Sequence, residues 1–176
     1  MKKVLVAMVL VAAMATASCA AITLDVIGLA GVGSLDRQTR AAALSFGISK
    51  DLTLGVGVAT ESISKPDTPG SQQSDTALYV NGFYTILRKG DVSQALGAEL
   101  GYETAGVRDG DNQATYMNLD GIYRVAVKVT PDLTMLFDVE VLKIISDVDS
   151  VSSTDITDSS VTLLNGAKIG FSVPVM

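Results

Sequence analysis

Tyr116, Met117, Asn118, Leu119, Asp120, Gly121, Ile122, Tyr123, Arg124, Val125, Ala126, Val127 and Lys128 form one stretch whose two parities differ in kind. The odd positions are apolar or small, whereas the even ones include Asn118, Asp120, Arg124 and Lys128. A strand sends successive side chains to opposite faces, so the stretch builds a wall with one apolar and one charged side. After the turn residues Thr130, Pro131 and Asp132 the pattern resumes. Leu133, Met135, Phe137, Val139 and Val141 oppose Thr134, Leu136, Asp138, Glu140 and Leu142.

The same two-sided pattern extends along the chain. Leu52, Leu54, Val56 and Val58 oppose Thr53, Gly55, Gly57, Ala59 and Glu61. Leu96, Ala98, Leu100 and Tyr102 oppose Ala95, Gly97, Glu99, Gly101 and Glu103. Near the end, Val161, Leu163, Ala167, Ile169, Phe171, Val173 and Val175 oppose Thr162, Gly166, Lys168, Gly170 and Ser172. None of these apolar rows contains a charge. A Lys or Arg facing lipid near the bilayer midplane costs about 2–4 kcal/mol, so a membrane wall requires this segregation. A soluble barrel shows the reverse, with apolar residues inside.

Eight strands are predicted, near 22–32, 40–49, 52–62, 76–88, 93–104, 114–129, 133–145 and 160–175. The registers of the first and fourth stay open. The first is apolar on both parities apart from Thr23 and Asp25, and the fourth puts Tyr79 and Phe83 on the side of Asn81. Tight connections at 50–51, 89–92 and 130–132 alternate with long ones at 33–39, 63–75, 105–113 and 146–159, which are rich in Ser, Asp, Gly and Thr. Four long loops and three short turns in strict alternation are what an eight-stranded barrel needs when both termini share a side. The expected fold is an all-β, eight-stranded antiparallel up-and-down transmembrane β-barrel. Its aromatic girdles are thin, with Phe46, Tyr84, Tyr102, Tyr123 and Phe171 placed for the interfaces and no Trp.

Residues 1–20 read as a signal peptide and 21–176 as the barrel domain. Lys2 and Lys3 precede an uncharged run from Val4 to Ala15, followed by small residues. The run is about 12 residues, short of the roughly 20 that a spanning helix needs. Cleavage after Ala20, cleavage after Ala17 and lipidation at Cys19 all fit. Cys19 is the only cysteine of the 176 residues, which excludes an internal disulfide. Without the signal the chain keeps 11 basic side chains against 19 acidic ones, a net charge of −8. Such a balance argues against nucleic acid as a partner.

The pattern resembles the small eight-stranded outer-membrane barrels of the OmpA and OmpX type, over the whole mature chain. The end of the chain is similar to the assembly signal of such barrels, with Lys168, Gly170, Val173 and Val175 at matching spacing. It departs in Pro174 and in ending on Met176 rather than an aromatic. The resemblance implies a Gram-negative outer membrane, contact with its lipid and lipopolysaccharide, and delivery by the barrel assembly machinery. It also implies partners bound through surface loops, or in some members passage of small solutes. It supplies no common site motif.

The chain has no His. The most frequent general base for a Ser nucleophile is therefore missing, and zinc-type metal sites lose their usual ligands. No catalytic residue, metal or cofactor is expected. Asp138 and Glu140 are two apart on one face, a spacing that suits acid/base chemistry. Ion pairing within a narrow lumen is the simpler account, since Glu99, Asp120, Arg124 and Lys168 share that face with them. Replacing Arg124 is expected to strand Glu99, Asp120 or Asp138. Asp109, Asp111 and Asn112, like Asp147, Asp149, Asp155 and Asp158, lack full EF-hand spacing. The glycines at 28, 31 and 33 precede no helical pattern, so small residues in a barrel wall explain them better than a nucleotide loop.

The leading expectation is a non-enzymatic outer-membrane barrel with a closed, salt-bridged interior and a structural or adhesion-like surface role. A small porin-like channel for ions or apolar ligands is the first alternative. A soluble or lipid-anchored ligand-binding barrel is the second.

Overall fold

The computed structural model describes residues 21–29, 37–64, 72–106, 114–147 and 160–175. The proposed signal peptide, Cys19 and most of the loop aspartates lie outside them. Eight strands come in order: β1 (Ile22–Leu29), β2 (Arg37–Gly47), β3 (Leu52–Ser64), β4 (Gln72–Lys89), β5 (Val92–Gly106), β6 (Ala114–Thr130), β7 (Leu133–Asp147) and β8 (Ser160–Pro174). Each pairs antiparallel with its sequence neighbour, and β1 pairs with β8 to close the barrel. Closure removes every free sheet edge.

Several strands run past their predicted ends into the polar segments, with β2 starting at Arg37 and β4 at Gln72. Ladder hydrogen bonds need no apolar residues, so pairing continues beyond the point where alternation fades from view. The short turns rest on local chemistry. The Ser49 hydroxyl accepts the Asp51 amide at 3.3 Å, and the Thr130 hydroxyl accepts the Asp132 amide at 3.3 Å. One turn hydrogen bond is thus used twice, each time at the aspartate of an Asp-Leu-Thr sequence, 51–53 and 132–134. In the two-residue turn between β4 and β5, Gly90 takes a φ of 59°, where a Cβ would be strained.

The faces divide by parity. Val26, Leu44, Val58, Leu96, Leu100, Met117, Leu119, Ile169 and Phe171 are exposed on the outside. So wide an apolar surface suits lipid and not water. Asp25, Ser45, Asn81, Asn118, Asp120, Arg124, Asp138 and Glu140 are buried. Asp25 and Ile27 fix the register of β1; Tyr79, Asn81 and Phe83, all buried, fix that of β4. Of the expected girdle aromatics, Tyr84 and Phe171 are exposed, whereas Phe46 is buried.

One row differs from the expected one. The β7–β8 and β6–β7 ladders shift between Glu140 and Leu142 and between Gly121 and Ile122. The extra residue reverses the facing of the β7 residues beyond it. Lys143, not Leu142, therefore stands opposite buried Asp120, and Leu142 lies against Gly121 on the outer face.

Candidate functional site

Inside the lumen buried charged residues from several strands converge, with Arg124 at their centre. On β6, its Nε and Nη2 donate to the two carboxylate oxygens of Asp138 on β7, both at 2.7 Å. Its Nη1 lies 3.6 Å from Asp25 Oδ2 on β1, and its guanidinium carbon sits 3.8 Å from the ring centroid of Phe83 on β4. Asp25 in turn accepts from the hydroxyls of Ser45, at 2.7 Å, and Thr23, at 3.2 Å. One planar cation thus ties together β1, β4, β6 and β7 as a crossbar through the lumen. Arg suits the position because its fork meets a carboxylate with two parallel bonds while its face stacks on an aromatic ring.

Glycines make the room this needs. A Cβ on Gly97 would fall 2.3 Å from a carbon of the Phe83 ring, and one on Gly57 would fall 2.5 Å from Tyr79. A Cβ on Gly55 would meet Asn81 Oδ1 at 2.3 Å. The small residues of the inward rows are therefore floors for the large side chains of β4. At Gly170 a Cβ would lie 2.6 Å from the Val26 carbonyl, so β8 approaches β1 too closely there for a side chain.

Further towards the long-loop end, Lys168 on β8 pairs with Glu140 on β7, and Asn118 on β6 donates to Glu103 on β5. Glu99 and Asp120 face each other directly across β5 and β6. The direct ion pairs of the expected charged residues fall into separate sets. Arg124 engages Asp138 and Asp25, Lys168 engages Glu140, and Glu99 and Asp120 lie beyond the crossbar. Replacing Arg124 would strand Asp138 and Asp25, not Glu99 or Asp120. Asp25 escaped the sequence reading because β1 is apolar on both parities, although a lone charge in a lipid-crossing strand signals the inward side.

Asp138 and Glu140, the spacing that suggested acid/base chemistry, are each engaged by a different cation. Among the described residues no group of three or more carboxylate, thiol or imidazole side chains is placed to hold a metal. At the chain's end, Lys168 and Gly170 face inward, Val173 pairs with Leu24, and Val175 donates to the Ile22 carbonyl at 2.9 Å. Successive amides point to opposite neighbours, so an amide at Pro174 would point towards β7. The β7–β8 ladder already ends at Thr134 and Ser172, so the missing donor leaves no ladder bond unmade.

No family model and no curated protein sequence matches the chain. Solved structures do. Neisserial surface protein A superposes with a TM-score of 0.57 at 16% identity, covering 86% of this chain and 94% of that one. A protein from a study of de novo designed transmembrane β-barrels gives 0.51 at 12%, covering 88% and 95%. A major outer membrane protein from Thermus thermophilus gives 0.49 at 13%, covering 87% and 98%. At these identities the likeness is one of fold, and the fold is that of the small eight-stranded membrane barrels.

Proposed function

We propose that the chain is a non-enzymatic barrel of a Gram-negative outer membrane, exported by residues 1–20, with a structural or adhesion-like surface role. Its wall contacts outer-membrane lipid and lipopolysaccharide. Its strands are inserted by the barrel assembly machinery, and its long loops face outward to meet a surface partner. The observation that carries this reading is the Arg124 crossbar: bonded to Asp138, drawn to Asp25 and stacked on Phe83, it spans the lumen across the path a solute would take. Lumens of eight-stranded barrels are about wide enough for side chains to fill.

Planar-bilayer recording decides between this reading and a channel. The folded protein is expected to give no steady unit conductance in potassium chloride. A reproducible unit conductance in the wild-type protein would replace the structural reading with the porin-like one.

A further inference from the structure

At the short-turn end the wall has a step. The β2–β3 turn stops early: Leu52 pairs with Tyr84, and the Thr85 amide makes the last bond across that seam, to the Asp51 carbonyl at 2.8 Å. β4 continues to Lys89 with β5 on its other side, so residues 86–89 have no β3 partner. A bulge between Thr85 and Leu87 turns both Ile86 and Leu87 to the surface, each 50% exposed. The step leaves a notch of about 420 Å³ lined by Lys50, Asp51, Tyr84, Thr85, Ile86, Leu87 and Arg88.

The notch is two-toned along the barrel axis. Towards the bilayer it offers Tyr84, 58% exposed on the lipid-facing row, with Ile86 and Leu87. Towards the aqueous end it offers Lys50 and Arg88, with Lys89 adjoining. Arg88 is held in place by a bond to the Lys50 carbonyl and by Asp51, whose Oδ1 lies 3.6 Å from its Nε. That pairing consumes the one carboxylate in the notch. Among the described residues the ammonium groups of Lys50 and Lys89 have no ion-pair partner. Uncovered apolar side chains beside unpaired cations at an interface match an amphiphile with an anionic head.

We infer that this notch is a binding site for one anionic glycerophospholipid of the periplasmic leaflet, its phosphate between Lys50 and Arg88 and its acyl chains along Ile86, Leu87 and Tyr84. The inference rests on the outer-membrane reading and adds to it a defined position and headgroup charge. Arg88, its Nε and Nη2 turned to Asp51 and the Lys50 carbonyl, keeps its Nη1 donors for the phosphate, Lys50 adds a point charge, and the bulged strand supplies the apolar contact.

The test uses the mature chain in nanodiscs of equal phosphatidylglycerol and phosphatidylcholine with matched acyl chains, released into native mass spectrometry. Near-surface cations are worth about 1 kcal/mol each, so with Lys50 and Arg88 together retained phosphatidylglycerol is expected to exceed phosphatidylcholine by about thirtyfold. The double substitution Lys50→Gln, Arg88→Gln is expected to bring that ratio close to one, and Lys128→Gln, exposed near the end of β6, to leave it unchanged. If the double variant loses the heat-modifiable mobility of a folded barrel, Lys50→Gln alone is read, with an expected loss of about fivefold. Equal retention of both lipids by the wild-type protein overturns the site, as does an equal fall in the Lys128→Gln variant. Displacement of the lipid by excess inorganic phosphate would make the notch a free-anion site and overturn the lipid assignment. A chain that does not stay in bilayers at all instead overturns the membrane reading beneath it.

Discussion

The two halves of the lumen handle buried polarity in opposite ways. Towards the short turns, the Arg124 guanidinium is bonded to Asp138, drawn to Asp25 and stacked on Phe83, and Asp25 is further held by Ser45 and Thr23. Towards the long loops, the Tyr79 hydroxyl and one oxygen each of Asn81, Asn118 and Asp120 are buried without a hydrogen-bond partner among the described residues. Groups of that kind are ordinarily met by ordered water. The first half is a lock that fixes which strands meet. The second is a polar chamber whose side chains are only partly committed to one another.

The largest effect is expected from breaking the lock. Arg124→Met removes the crossbar's charge and leaves Asp138 and Asp25 buried and uncompensated, a change that costs about 3–5 kcal/mol where one partner of a buried pair is removed. Equilibrium denaturant titration of the folded protein in lipid vesicles reads this directly. A midpoint within error of wild type would show that the crossbar fills the lumen without stabilising it.

A smaller and more local comparison uses two inward glycines of β5. A Cβ at Gly97 collides with the Phe83 ring at 2.3 Å, whereas at Gly101 it meets only the Asn118 Cβ at 3.7 Å. Gly97→Ala is expected to cost about 1–3 kcal/mol by overpacking. Gly101→Ala should be neutral or gain about 0.5 kcal/mol, because Ala loses less backbone freedom than Gly. Equal costs at the two positions in the same titration would mean that the loop-end half is packed as tightly as the lock.

These contrasts also explain how much was legible in the sequence. The strand number and the facing of β3, β5, β6 and most of β7 and β8 follow from alternation alone, because lipid excludes charge from one parity. β1 and β4 were harder for opposite reasons. β1 has small or apolar residues on both faces, so only Asp25 marks its inside. β4 turns Tyr79 and Phe83 inward, where they mimic a lipid row, because Gly57 and Gly97 on neighbouring strands vacate the space. Such complementarity between strands cannot be read from either strand separately. The bulge near Glu140 was hidden likewise, yet it left a trace: Lys143 continues the parity of Val139 and Val141. A cation on a lipid-facing row is too costly to leave there, so it signals a register shift. The pairing of Arg124 with Asp25 required the closed barrel, since β1 and β6 are far apart in the chain and meet only across the lumen.

The smallest effect, and the one with the more telling sign, concerns Asp120. It stands opposite Glu99 on β5 and opposite Lys143 on β7, and one of its oxygens has no hydrogen-bond partner among the described residues. Like charges directly opposite across strands destabilise a sheet, and the loop-end half already holds Glu99, Glu103 and Glu140. Asp120→Asn keeps the shape, removes one of two facing carboxylates and supplies a donor towards Glu99. The opposition it relieves is worth about 0.2–1 kcal/mol, so a gain of that order is expected in the same denaturant titration. A loss of stability would show that Lys143 depends on Asp120 more than Glu99 opposes it, and the chamber would then be a second ion-paired lock. In that event Lys143→Met should cost as much as Asp120→Asn, and the double variant no more than either, the signature of one shared pair.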